Sequence, residues 1–64
     1  MERKLRKIIR YPVVEKMTGL SRVTIWRMVK AGTFPKPIQL GSGSVGFFED
    51  ECVEWQEEKA ASRG

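Results

Sequence analysis

A chain of 64 residues has room for one small domain over 1–64, with a core near the lower limit for folding alone. Its 41% hydrophobic and 31% charged residues are a globular composition with no membrane-length apolar run and no leader-like start; one Cys and no His exclude an internal disulfide, His- or Cys-built metal sites and a Ser-His-Asp triad. The net charge of +4 is divided unevenly: residues 1–36 carry ten Lys or Arg against two acids, net +8, and residues 37–64 carry two against six, net −4. These features predict a cytoplasmic binding module without cofactor, metal or small-molecule substrate, not an enzyme. Its basic half suits a polyanion, nucleic acid ahead of an anionic membrane.

Taken along the chain, residues 1–6 read as a frayed basic arm, and Lys7-Ile8-Ile9-Arg10 as a short edge strand. Pro12 suits a first helical position, so a helix is expected over 12–18, with Val13, Val14 and Met17 at near-helical spacing and Gly19 as its stop. Ser21 is the N-cap of a second helix over 21–31, ended by Gly32, with Ile25, Met28 and Val29 on its apolar face. Pro35 and Pro37 interrupt helix. Two apolar runs around Gly41-Ser42-Gly43-Ser44 then predict a β-hairpin over 38–48. Glu49-Asp50-Glu51 opens a third helix over 49–59, and 60–64 is expected to fray. The expected core contains Val14, Leu20, Ile25, Met28, Phe48 and Trp55, with Phe34, Phe47 and Cys52 also inward; Trp26, off the apolar stripe, is expected to pack against the first strand or the hairpin, ahead of stacking on a DNA sugar.

Two short helices joined at a glycine, the second opened by Ser and carrying Arg, Lys and Thr, form a helix-turn-helix pattern, although the apolar spacing alone also fits a plain helical hairpin. The segments Met17 to Arg27, Gly32 to Gly41, Val45-Gly46-Phe47 and Glu51 to Trp55 compose "TGLSRxTIxR…GxFPKPIxLG…VG…E…W". Over residues 8–58 this resembles the AlpA family of phage and prophage regulators. The resemblance implies a mainly α fold with a small β-hairpin: a MerR-like winged helix-turn-helix related to excisionases, with 21–31 as recognition helix and 38–48 as wing. One position departs from the usual pattern: Glu15 stands where the first helix commonly has a small residue. The hairpin tip departs too, lacking the basic residue that family wings often carry, so its grip on phosphate is expected to be weaker.

The expected partner is double-stranded DNA. The candidate contacts are Ser21, Arg22, Thr24, Arg27, Lys30, Lys36, Ser42 and Ser44. Arg22 and Arg27 suit guanine edges or phosphate. Thr24 suits a base edge or a thymine methyl, or else bonds its own cap. Ser21 is a cap first and a phosphate contact second. Lys30 and Lys36 suit phosphate clamps. Ser42 and Ser44 offer hydroxyls at the wing tip, and Lys4, Arg6 and Lys7 suit a basic arm on the DNA backbone. Three functional readings follow: a transcription regulator of a mobile element; an excisionase-type factor that bends attachment-site DNA, beside an integrase or further copies on arrayed sites; and a protein-interaction module using the acidic helix 49–59. The first two place the protein with the nucleoid.

Overall fold

The computed structural model describes residues 5–63 and contains six elements in chain order. They are β1 (Ile8–Ile9), α1 (Tyr11–Thr18), α2 (Arg22–Ala31), β2 (Ile38–Gly41), β3 (Ser44–Phe48) and α3 (Glu49–Ser62). Helices α1 and α2 form a helix-turn-helix, and the β2–β3 hairpin is its wing. The strands make one antiparallel sheet in the order β1-β3-β2. The edge strand expected around Lys7–Arg10 thus closes the far side of the hairpin.

Strand parity decides which residues of β3 face the core. Ile9 pairs with Phe47, and Ile8 with Phe48. Successive side chains alternate faces, so Ile9 and Phe47 turn inward while Phe48 takes the opposite face. Phe47 is fully buried, whereas Phe48 is half-buried beneath the Arg6 guanidinium, 3.8 Å from its ring centre. The expectation that Phe48 joins Phe47 in the core is corrected by this one-residue phase. Gly46 sits where there is no space: a Cβ there would stand 2.6 Å from Cγ2 of Ile8 and 3.2 Å from the Ile9 carbonyl oxygen. A glycine at this point lets β1 lie close against β3.

The buried core is Ile9, Tyr11, Val14, Ile25, Phe34, Phe47 and Cys52, with Met17, Leu20, Met28, Val29, Val45 and Trp55 packed around it. Leu20, Met28 and Trp55, expected in the core, are its half-buried rim. Four aromatic rings run through the molecule edge to face. Tyr11 lies 5.2 Å from Phe47, Phe47 lies 5.7 Å from Phe34, and Phe34 lies 4.8 Å from Trp55. This chain joins α1, the sheet, the segment after α2, and α3; each contact of this kind adds about 0.5–1.5 kcal/mol beyond burial.

Several boundaries differ from the sequence expectation. Helix α1 begins at Tyr11, one residue early, because burying the Tyr11 ring on Phe47 draws it into the first turn. Pro12 is still harmless there, since first-turn N–H groups have no acceptor within the helix. The hairpin turn is two residues, Ser42 and Gly43, because Gly41 and Ser44 pair with each other. A bulge lies between Gln39 and Gly41, leaving Leu40 as the extra residue. Helix α3 continues through Ser62, so residues 60–62 of the expected frayed tail are helical. Residues 1–4 of the basic arm, Lys4 among them, lie outside the described residues.

Candidate nucleic-acid interface

The turn between α1 and α2 is held by local hydrogen bonds. The Thr18 hydroxyl donates to the Val14 carbonyl at 2.8 Å and accepts the Leu20 N–H at 3.2 Å. Gly19 adopts φ 74° and donates its N–H to the Glu15 carbonyl at 2.8 Å. A side chain at that φ would be strained, so glycine is what permits the sharp exit from α1. At the start of α2, the Ser21 hydroxyl oxygen accepts the Thr24 N–H at 3.2 Å, and the two hydroxyls are 2.9 Å apart. Ser21 is therefore the N-cap expected of it. Thr24 is half-buried with its N–H and hydroxyl both engaged by Ser21, the local arrangement weighed against a base contact above.

The open face of α2 carries the remaining candidates. At about 100° per residue, Arg22, Trp26, Lys30, Val23 and Arg27 fall in that order across roughly 140° of the helix surface. All five are exposed, while Ile25 is buried and Met28 half-buried on the other side, and Val29 is half-buried next to Arg22. Arg22 marks the edge nearest the wing, its guanidinium 4.5 Å from the Tyr11 ring centre. It lines a small concavity with Arg10, Tyr11, Pro12, Gly43 and Val45, which brings the wing tip beside two arginines. Arg27 marks the opposite edge. Lys30 stands 5.1 Å from the centre of the Trp26 ring. Trp26 is 52% exposed, which corrects the expectation that it packs against the strand or hairpin. That expectation weighed the area of an indole without its angular position, which lies well inside the solvent-facing arc.

Lys36 lies apart from this face. It lines an open groove between the 32–38 segment and α3, together with Glu51, Glu54 and Glu58. Ser42 is exposed at the wing tip, and Ser44 is half-buried at the start of β3. The arm lysine and arginine are placed differently from the sequence expectation. Arg6 pairs with Asp50 at 2.8 Å and with Glu51 at 3.2 Å, and Lys7 reaches Glu49 at 3.8 Å. These side chains clamp the first turn of α3 because its acids lie directly after β3, beside β1. The Arg6 bond holds the Asp50 carboxyl below the ordinary carboxylate range. Among the described residues no ion pair involves Arg10, Arg22, Arg27, Lys30 or Lys36.

The free thiol offers no nucleophile. Cys52 is fully buried, and burial, followed by the charges of Glu51, Asp50 and Glu49, pushes its thiol up to about 11. Among the described residues, no helix is long and apolar enough to cross a membrane.

Comparison with known proteins decides the family. A profile described as "Prophage CP4-57 regulatory protein (AlpA)" matches residues 7–60. The chain belongs to the AlpA family. This AlpA-family chain is 44% identical over 55 residues to the "DNA-binding transcriptional activator AlpA" of Escherichia coli strain K12, covering 77% of the chain and 79% of that protein. It is also 33% identical over 57 residues to "Uncharacterized protein ORF88" of Enterobacteria phage P4; the match takes in 89% of the chain and 65% of the phage protein, just under two thirds of its length.

Two residues at this face, Arg10 and Val23, were not among the sequence candidates, and Trp26 was expected to pack ahead of touching DNA. Arg10 escaped notice because its proximity to Arg22 is created by the fold, although its place just before α1 was visible. Val23 could have been found from the helical wheel, since it lies with Trp26 between Arg22 and Arg27.

Proposed function

We propose that the chain is a sequence-specific DNA-binding transcription regulator of a phage, prophage or related mobile element, acting by binding and not by catalysis. Residues 1–64 serve as one DNA-binding domain, at work on the nucleoid. Helix α2 enters the major groove, and the β2–β3 wing lies along the adjoining backbone. One observation carries this reading: Arg22, Lys30 and Arg27 all project from the solvent arc of α2 with no carboxylate partner among the described residues, while acids gather on α3. Cations left unpaired on a helix of groove-fitting width are matched to phosphate and to guanine edges. Arg22 and Arg27 are the leading contacts, and Lys30 a phosphate clamp. Arg10 and the Ser42–Gly43 tip belong to the wing-side backbone contact. The α3 acids Glu54, Glu57 and Glu58 are exposed and suit a neighbouring protein, an integrase or another copy on arrayed sites.

The test is selection of a preferred duplex from a random pool, followed by titration at several salt concentrations. Four to six phosphate contacts give a slope of log K against log salt of about −4 to −5. A slope near zero with no selected sequence removes DNA as the partner and favours a protein-interaction role for α3.

A further inference from the structure

Two large apolar side chains, Val23 and Trp26, lie inside the α2 open face, between Arg22 and Arg27 at its edges, with Lys30 one turn beyond Trp26. Val23 is 57% exposed and Trp26 is 52% exposed. They are three residues apart, so they adjoin on one face. With Tyr11, Val29, Pro37 and Val45 they line a mostly apolar groove whose remaining walls are Arg22 and Lys30. Leu5, Ile8, Val13, Leu40 and Val53 are exposed as well, but Val23 and Trp26 share one groove, and a contiguous apolar surface of this kind suits an apolar counterpart.

The charges around the patch restrict what that counterpart is. Arg22, Lys30 and Arg27 bound it, and the carboxylates of Glu49, Asp50, Glu51, Glu54, Glu57 and Glu58 are all on α3. Such a rim repels basic partners and favours a polyanion that also offers hydrocarbon at the depth of its groove. Duplex DNA meets both requirements. The hydrocarbon it displays in the major groove is the thymine C5-methyl.

Resting on the DNA-binding reading above, we infer that Val23 and Trp26 are specificity-determining residues that pack on thymine methyls, so that the preferred site carries a thymine beneath the middle of α2. Val23, in the first turn, meets the methyl nearest the N-terminal end of the helix. Trp26, one turn on, covers the next and shields it from water. The Lys30 ammonium, held 5.1 Å from the indole centre, stays at the rim within reach of phosphate. Arg22 then sets flanking base preference, Arg27 adds affinity through the backbone, and the apolar pair distinguishes thymine from the other bases. The proposed role for Trp26 explains why an indole is tolerated at a solvent-facing position.

The experiment replaces single thymines of the selected duplex by deoxyuridine, which deletes the methyl and keeps every hydrogen-bonding group. At one or two positions the wild-type protein should lose roughly fourfold in affinity per methyl, the burial value of one hydrocarbon group. Val23→Ala and Trp26→Ala, both exposed and checked for a native circular dichroism spectrum, should bind thymine and uracil duplexes with ratios near one at the corresponding position. Equal wild-type affinity for all uracil duplexes overturns the inference while leaving DNA binding intact. So does an unchanged thymine preference in both variants. Failure to select any sequence removes the DNA-binding reading itself, and this inference with it.

Discussion

The indole N–H of Trp55 donates to the backbone carbonyl of Thr33 at 2.8 Å, fastening α3 to the segment that leaves α2. Gln56, the next residue, donates its side-chain amide to the carbonyl of Met17 near the end of α1. Two neighbours on α3 thus hold the chain just before and just after α2, and the acidic helix acts as the back plate that sets the pose of α2. Replacing Trp55 by Ala also removes its contact with Phe34 and should cost about 3–5 kcal/mol. A small domain without disulfides has about that much in total. Trp55→Ala should therefore be largely unfolded by circular dichroism at 25 °C, whereas Trp55→Phe should keep the fold and lose about 1 kcal/mol with the hydrogen bond.

Gly46→Ala should destabilise by about 1–3 kcal/mol through overpacking, since the added methyl falls 2.6 Å from Cγ2 of Ile8. Trimming the obstacle tests this cause. In denaturant melts, the double variant Gly46→Ala with Ile8→Ala should lose less than the two single changes added together. Strict additivity would show that the cost arises elsewhere.

The Arg6–Asp50 pair makes stability depend on acid. The Asp50 carboxyl is held below its ordinary range, chiefly by the Arg6 hydrogen bonds, so its folded value lies beneath its unfolded one. The contribution is present above the unfolded value and is lost as pH falls through the folded value. Thermal melts of wild type and Arg6→Gln should differ at neutral pH and converge in strong acid. The pair is exposed, so the difference should be small and should shrink further in high salt.

Cys52 should be inert in the native protein. With its thiol pushed up to about 11 and no exposed surface, it is almost wholly protonated at pH 8. A disulfide reagent should label it only as the molecule opens, with labelling accelerating in urea in step with unfolding. Fast labelling without denaturant would place the thiol at the surface.

The two arginines that edge α2 should behave differently on DNA. Arg22, beside the wing and in the first turn, is proposed for a base edge or adjacent phosphate. Arg22→Ala should cost about 1–3 kcal/mol on the preferred site and relax its sequence preference. Arg27, about 140° away around the helix, is proposed to hold backbone alone. Arg27→Ala should weaken all sequences alike and flatten the salt slope by about one unit. Titration of both variants on preferred and scrambled duplexes checks the assignment, and the opposite pattern reverses it.

Local chemistry determined much of this protein directly from its sequence. Ser21 caps α2, Gly19 turns the chain between helices, two apolar runs meet in a hairpin, and the ordered motif from Thr18 to Trp55 carries the family. Each depends on residues close in the chain, whose preferences for caps, turns and alternation act before any packing. The tertiary structure alone decided where longer-range partners meet. It chose Phe47 over Phe48 for the core, because pairing with β1 sets the strand phase. It drew Arg6 and Lys7 onto α3, although those charges stand more than forty residues from their partners. It set Arg10 beside Arg22, and it left Trp26 in solvent where its size alone suggested burial. Charge and hydrophobicity say what a side chain favours, but which neighbours it meets is fixed only when the sheet register and the docking of α3 close the molecule.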